Sequence, residues 1–122
     1  MQTTIQDVID TIIARIPGAP LEDTVDTIKT GDPSQTVKGI VTTFLATSEV
    51  INKAIELGAN LIITHEPTFY EHLDQTDWLD DDPVYMAKRR LIDEHGIVIW
   101  RFHDYWHRHH PDGILSGVLK DL

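Results

Sequence analysis

The chain has 122 residues, the length of one ordinary α/β domain, and we treat residues 1–122 as a single domain. It contains no cysteine, which excludes disulfide frameworks, iron–sulfur clusters and thiolate zinc sites, so any bound metal must use nitrogen and oxygen ligands. Twenty acidic residues against ten Lys and Arg give a net charge of −10, which argues against nucleic acid or an anionic membrane as partner. We find no apolar stretch of the ~20 residues that cross a bilayer and no signal peptide, so we expect a cytoplasmic protein.

The first predicted element is a helix over residues 5–16, because apolar side chains recur there with the one-face spacing of an α-helix. Thr3, with Gln6 three residues later, predicts a capping box at the start of this helix. Residues 18–36 are polar and rich in Pro, Gly, Asp and Thr, which indicates a loop. Within this loop, residues 24–29 could form a short strand.

Beyond the loop, strand and helix patterns alternate along the chain. The predicted elements are a strand at 37–45, a helix at 49–57, a strand at 61–64, a helix at 83–95 and a strand at 97–102. Thr47 or Ser48 is expected to cap the first of these helices, and Asp82 followed by Pro83 is a strong start for the second. The alternation predicts an α/β fold with a mostly parallel sheet covered by helices.

Two of the predicted strands end in side chains that commonly bind metals. His65 and Glu66 follow one strand, and His103, Asp104 and His107 follow the last strand. Ligands of open α/β sheets bind beyond the carboxyl ends of the strands, so both sets would project from one edge if the strands are parallel neighbours. The sequence therefore predicts a metal site formed by His65, Glu66, His103, Asp104 and His107.

These ligand types leave the metal and the function open. Imidazole and carboxylate donors together suit zinc, manganese, iron, nickel or cobalt. A divalent ion with open positions can activate water, which predicts a metal-dependent hydrolase of a phosphorylated or nucleotide-like small molecule, with His103 or His72 as proton-transfer candidates. The same residues fit a metal-binding or assembly module without catalysis, or a plain domain whose histidines lie on solvated loops. We identify no phosphate-cradling glycine loop and no Ser–His–Asp nucleophile.

The order and spacing of three segments resemble the N-terminal half of the Nif-three-like dinuclear metal centre (hexameric) protein family. The likeness covers about residues 1–110. The segments are Gly39-Ile40-Val41-Thr42-Thr43, Asn60-Leu61-Ile62-Ile63-Thr64-His65-Glu66-Pro67 and Arg101-Phe102-His103-Asp104-Tyr105-Trp106-His107. The resemblance implies that His65 and His103 stand at metal-binding histidines of the family. It places Glu66 where a second histidine is common and His107 where a metal-binding aspartate is common, and Asp104 could supply that carboxylate instead.

The resemblance also implies properties of the whole protein. Members of the family are usually longer, and a late His and Glu complete their two-metal site. This chain ends at Leu122 without such a pair, so it would carry half of that site, either as a fragment or as a half-length form. The ring-shaped hexamers of the family imply a homo-oligomer here. Their label as GTP cyclohydrolases of type two implies a nucleotide-like substrate.

Overall fold

The computed structural model of the chain describes residues 2–16, 24–69, 81–104 and 107. Over these ranges the elements are α1 (Ile5–Ile13), β1 (Ile28–Thr30), β2 (Ile40–Thr43), α2 (Ser48–Glu56), β3 (Leu61–Thr64), α3 (Pro83–Glu94) and β4 (Val98–Arg101). The predicted elements are all present in the predicted order, although several are shorter or displaced by a few residues. None of the helices in the described ranges is long and apolar enough to cross a membrane.

The predicted strand at 37–45 is too long at both ends, since regular pairing covers only Ile40–Thr43, and the bonds of its first residues explain the late start. The backbone N–H of Val37 donates to the carbonyl oxygen of Thr3 (2.9 Å), and that of Lys38 donates to Oδ1 of Asn60 (2.8 Å). These bonds hold the segment against the N-terminus and a side chain instead of a neighbouring strand. Regular pairing therefore begins only at Ile40.

The capping box of α1 lies one residue later than the Thr3–Gln6 pair that the sequence predicts. Oγ1 of Thr4 accepts the backbone N–H of Asp7 (3.1 Å), and the Asp7 carboxylate accepts the backbone N–H of Thr4 (3.0 Å). Thr3 lies one residue before the cap, and its carbonyl oxygen accepts the backbone N–H of Val37. The helix also ends at Ile13 instead of residue 16, since the chain continues as a turn.

The caps predicted for the other two helices are confirmed. Oγ1 of Thr47 accepts the backbone N–H of Val50 (3.2 Å) at the start of α2. Oδ1 of Asp82 accepts the backbone N–H of Tyr85 (3.0 Å) at the start of α3, and Pro83 occupies the first turn. Each cap satisfies an amide that has no partner within its helix.

The four strands form one sheet in the order β1-β4-β3-β2. β2, β3 and β4 are parallel neighbours, with Leu61 opposite Ile40 on one side and Val98 on the other. β1 pairs antiparallel with β4 at the edge. The sheet is thus mostly parallel, as predicted, but mixed. The helical crossovers make the other three strands parallel. β1 precedes these crossovers, so they do not determine its direction.

Helices cover both faces of this sheet. The core under α1 contains the buried side chains of Ile5, Ile9, Leu61, Val98 and Trp100. The core under α2 and α3 contains the buried side chains of Ile51, Ala54, Ile62, Ile92 and Ile99, among others. The two cores hold β3 and β4 rigidly, which makes the carboxyl ends of these strands firm supports for side chains that follow them.

Gly31 marks a close approach of backbone to backbone. Its φ is +79°, and a Cβ built there would lie 2.7 Å from the carbonyl oxygen of Ile97 and 2.9 Å from Cγ2 of Val98. Gly58 has a similar φ of +74°, but a Cβ there would meet no atom within 4 Å. We therefore predict that Gly58→Ala costs about 1 kcal/mol of unfolding free energy, and that Gly31→Ala costs about 2 kcal/mol more. Equilibrium denaturation of both variants measures the difference, and equal losses would contradict the contact.

Candidate metal centre

Three histidines meet beyond the carboxyl ends of β3 and β4. One ring nitrogen each from His65, His103 and His107 lies within 4.8 Å of the others. The Nε2 atoms of His65 and His107 are 3.0 Å apart, and the ring centroids of His65 and His103 are 4.4 Å apart. The two strand ends converge because β3 and β4 are adjacent and parallel. The structure thus brings together three of the five residues predicted as ligands.

The other two predicted ligands, Glu66 and Asp104, contact the imidazoles. Oε1 of Glu66 lies 3.0 Å from Nδ1 of His65, and Oδ1 of Asp104 lies 3.0 Å from Nδ1 of His103. When Nδ1–H donates to a carboxylate, the lone pair is on Nε2 and the ring orientation is fixed. The carboxylates can therefore prepare two histidines as ligands without facing an ion themselves.

Asp104 is anchored by the segment that precedes β1. Its Oδ2 accepts hydrogen bonds from Oγ1 of Thr24 (2.7 Å) and from the backbone N–H of Val25 (3.1 Å). Burial acts to raise the pKa of Asp104, but the hydrogen bonds from Thr24, His103 and Val25 outweigh it and lower the pKa to about 2. Both oxygens of this carboxylate are engaged by protein groups, which explains how it holds His103 in place.

Asp26 is a site residue that the sequence does not reveal. Its side chain is buried, and Oδ1 accepts the backbone N–H groups of His103 (3.0 Å) and Asp104 (2.8 Å). The backbone N–H of His107 in turn donates to the carbonyl oxygen of His103 (3.2 Å). Asp26, His103 and Asp104 also form a close group of ligand types. Because Oδ1 of Asp26 and both oxygens of Asp104 accept protein hydrogen bonds, we assign this group the role of holding the backbone at His103 and Asp104 and the ring of His103.

His65 is supported by two further residues that the sequence interpretation did not include as site residues. Phe44 stacks on its ring, with centroids 4.7 Å apart and an interplanar angle of 16°. Nε of the fully buried Arg101 donates to the carbonyl oxygen of His65 (3.1 Å). A single charged residue at the end of an apolar strand is a signal that could have pointed to Arg101.

The environment of His65 keeps its imidazole neutral near pH 7. Burial lowers the pKa of His65 below its ordinary value, and the neighbouring His103 and His107 act in the same direction. The contact with Glu66 acts in the opposite direction but does not prevail. A neutral imidazole is the form that binds a metal ion.

The remaining histidines stand apart from this cluster or outside the described residues. His72, predicted as a proton-transfer candidate, lies outside the described residues. His95 ends α3, where its Nδ1 lies 3.0 Å from the carbonyl oxygen of Leu91. It precedes β4, whereas the histidine cluster follows that strand.

A cleft of about 530 Å³ opens beside His65. It lies at the carboxyl edge of the sheet, next to α1, and its described lining includes three threonines. The apolar part of this lining consists of Ile12, Phe44, Ile63 and Phe102. Since His65 belongs both to the cleft and to the histidine cluster, a small molecule in the cleft would lie next to the candidate metal centre.

The fold and this cluster define the chain as an α/β protein with a group of imidazoles that could hold a divalent metal. The chain belongs to the Duf34/NIF3 (NGG1p interacting factor 3) family, because a sequence model of that family matches residues 3–120. This match confirms the resemblance drawn from the sequence segments. No curated protein matches the chain in sequence.

Solved structures share the fold. Staphylococcus aureus protein SA1388 aligns with 86% of this chain at 26% identity and a TM-score of 0.68, over 29% of its own length. A Bacillus cereus protein related to NIF3 aligns with 86% of this chain at 23% identity and a TM-score of 0.69, over 28% of its length. Reduced HcgD from Methanocaldococcus jannaschii aligns with 87% of this chain at 19% identity and a TM-score of 0.71, over 42% of its length. The chain thus spans less than half the length of each.

The low pKa of Asp104 predicts a pH dependence of stability. Because the folded value of about 2 lies below the ordinary 3.8, this carboxylate stabilises the fold above about pH 4, and the contribution is lost as the pH falls toward 2. Asp104→Asn should therefore flatten the loss of unfolding free energy between these pH values. Thr24→Val, which removes one hydrogen bond to the carboxylate, should move that loss to higher pH. Denaturant unfolding of metal-free protein measures both, and an unchanged slope in Asp104→Asn would contradict the assignment.

Proposed function

We propose that the chain binds a divalent metal ion through ring nitrogens of His65, His103 and His107. The single observation that carries this proposal is the convergence of three imidazoles, two of which have Nε2 atoms 3.0 Å apart. One ion binds histidine nitrogens at about 2.0–2.1 Å, so two nitrogens that share it can be at most about 4.2 Å apart. The spacing of 3.0 Å between Nε2 of His65 and Nε2 of His107 fits a shared ion.

In this proposal Glu66 and Asp104 orient the ligands. Each carboxylate holds Nδ1 of one histidine, the arrangement that fixes ligating histidines in many metal sites. A donor set of imidazoles favours zinc, iron, nickel or cobalt over manganese. We assign His103 as a ligand through Nε2, which replaces proton transfer as its role.

We further propose that the centre serves the hydrolysis of a phosphorylated or nucleotide-like small molecule. A bound divalent ion supplies positive charge that polarises a phosphoryl group and helps to activate water. Such charge would matter in this chain, whose net charge of −10 otherwise repels anionic substrates. The cleft beside His65 gives the organic part of such a molecule a place next to the centre.

A thermal unfolding experiment tests metal binding. Because protons compete with the ion for the imidazole nitrogens, we expect added Zn²⁺ or Co²⁺ to raise the melting temperature at pH 7.5 and to change it little at pH 5. Free ion at 100 times its dissociation constant would stabilise the fold by about 2.7 kcal/mol. An unchanged melting temperature at pH 7.5, in a buffer without chelator, would count against the proposal.

Turnover separates the hydrolase from its alternative. The metal-loaded protein is incubated with a panel of phosphate monoesters and nucleotides, and product release is compared with that of metal-free protein. Metal binding without turnover of any compound would favour a metal-binding or assembly module without catalysis. The homo-oligomer implied by the family resemblance stays a prediction, which light scattering at micromolar concentration tests.

A further inference from the structure

The cleft beside His65 indicates which kind of organic group the site accepts. We propose that it receives a flat, uncharged ring whose attached anionic group reaches the histidine cluster, so that the ligand class is an aryl or heterocyclic phosphate. This inference rests on the proposed metal-binding function, because the ion would hold the anionic end. It narrows that function from phosphorylated molecules in general to those that carry a ring.

The cleft carries little charge of its own. Apart from His65, its described lining consists of apolar side chains and threonines, and none of these carries a charge. Oγ1 of Thr43 donates to the carbonyl oxygen of Leu45 (3.1 Å), and Oγ1 of Thr64 donates to the carbonyl oxygen of Phe44 (3.2 Å). Two of the three hydroxyl protons are thus used on the backbone. A phosphate placed here would lose its hydration without gaining a positive partner, so the cleft selects the uncharged end of a ligand.

The ring of Phe44 lies exposed at the cleft and stacks on the ring of His65. Their rings are nearly parallel, with centroids 4.7 Å apart. Phe44 nevertheless keeps 59% of its surface exposed, which is unusual for a large aromatic side chain beside a cluster of histidines. Aromatic faces favour offset stacking with another ring, so an exposed ring at the mouth of a cleft suits a planar ligand.

The cleft is large enough for a ring system and adjoins the histidine cluster. A cleft of about 530 Å³ lies within the usual range for small-molecule sites, so a ring system fits inside it. His65 forms part of the cleft and also part of the histidine cluster. A ligand that stacks in the cleft would therefore bring a phosphate directly attached to its ring next to the proposed ion.

Two phosphonates that differ only in the organic group test this inference, since neither is hydrolysed as an ester. Calorimetric titration of the zinc-loaded protein with phenylphosphonate and methylphosphonate gives the ratio of their affinities. We expect phenylphosphonate to bind at least about tenfold more tightly than methylphosphonate, because its apolar ring is removed from water when it enters the cleft. Equal affinities, with zinc still bound, would overturn the inference and leave the metal site intact.

Two variants of the cleft and one control test whether the cleft causes the preference for phenylphosphonate. Phe44→Ala removes the exposed aromatic ring. Thr42→Phe fills the cleft from an exposed position on β2 that tolerates an aromatic side chain. Both should bring the affinity ratio close to one, and Thr42→Phe, at a residue that is not assigned to the metal site, should do so with zinc binding unchanged. Leu57→Ala is the control, since Leu57 is an exposed apolar residue at the far end of α2 and should leave the ratio unchanged. A ratio that stays high in both cleft variants would overturn the inference.

A result in which zinc fails to bind would remove the proposed function, and the cleft is then judged separately. Metal-free protein is titrated with phenol, and the methyl resonances of Ile12 and Ile63 are followed by NMR. Shifts of these methyl groups that saturate would support ring binding in the cleft. Unchanged resonances at millimolar phenol would overturn it.

Discussion

Replacing His65 with alanine is expected to weaken zinc binding by at least about a hundredfold, because a lost ligand should cost more than the 10- to 100-fold typical of a lost supporting residue. His65 contacts both other imidazoles, and Phe44 and Glu66 hold its ring in place. Glu66→Gln keeps the shape of the supporting side chain but removes its charge, so we expect a smaller loss of about tenfold with the fold intact. Calorimetric titration at pH 7.5 without chelator measures all of these affinities.

His95→Ala is the matched control for this experiment. It is the same substitution at a histidine whose Nδ1 lies against a helix carbonyl group before β4, away from the cluster. Zinc affinity should be unchanged in this variant. Equal losses from His65→Ala and His95→Ala would mean that the histidines bind metal as a diffuse surface patch, and the ordered site would then be wrong.

Replacing Asp26 with alanine is expected to lower both the stability and the zinc affinity. The variant removes the carboxylate that accepts the backbone N–H groups of His103 and Asp104, so two amides lose a charged acceptor. We expect an unfolding free energy lower by about 2–3 kcal/mol, because hydrogen bonds to charged groups are strong and unpaired amides are costly. The backbone that carries His103 would also be held less firmly, which should weaken zinc binding by about 10- to 100-fold. Denaturant unfolding and calorimetric titration measure the two effects.

Two further variants separate positioning from a loss of stability. Asp26→Asn retains one carbonyl oxygen as an acceptor and should recover part of the zinc affinity. Thr47→Ala removes the cap of α2, which should cost about 1 kcal/mol of unfolding free energy without touching the histidines. If the zinc affinity of Asp26→Ala is no lower than that of Thr47→Ala, Asp26 stabilises the fold but does not position the ligands.

The elements that were predictable from the sequence are those with strong local signals. β3 has the predicted bounds, Leu61–Thr64, because its apolar run is bounded on both sides by polar residues. The cap at Asp82 is also local chemistry, since the aspartate and the following proline are adjacent. β1 was displaced from the predicted 24–29 to Ile28–Thr30, because its pairing with β4 and not its own composition decides where it lies. Tertiary contacts of this kind override weak local preferences.

The same difference between local sequence signals and tertiary contacts decides which residues of the candidate site were predictable. The convergence of His65, His103 and His107 was predictable because each follows a buried strand, and parallel strands bring their carboxyl ends together. Asp26 was not predictable, since it stands in a polar loop 77 residues before His103 and only the antiparallel edge strand brings that loop to the site. The position of Glu66 beside the ring of His65 depends on side-chain torsions, on which sequence spacing has no bearing.

Anomalous scattering from crystals grown with zinc and without chelator tests the central claim most directly. We expect one strong peak at about 2.0–2.1 Å from the ring nitrogens of His65 and His107, with His103 as the third ligand. Glu66 and Asp104 should remain on the Nδ1 atoms of their histidines. Absence of a peak among these three imidazoles, or a peak only between the carboxylates of Asp26 and Asp104, would contradict it.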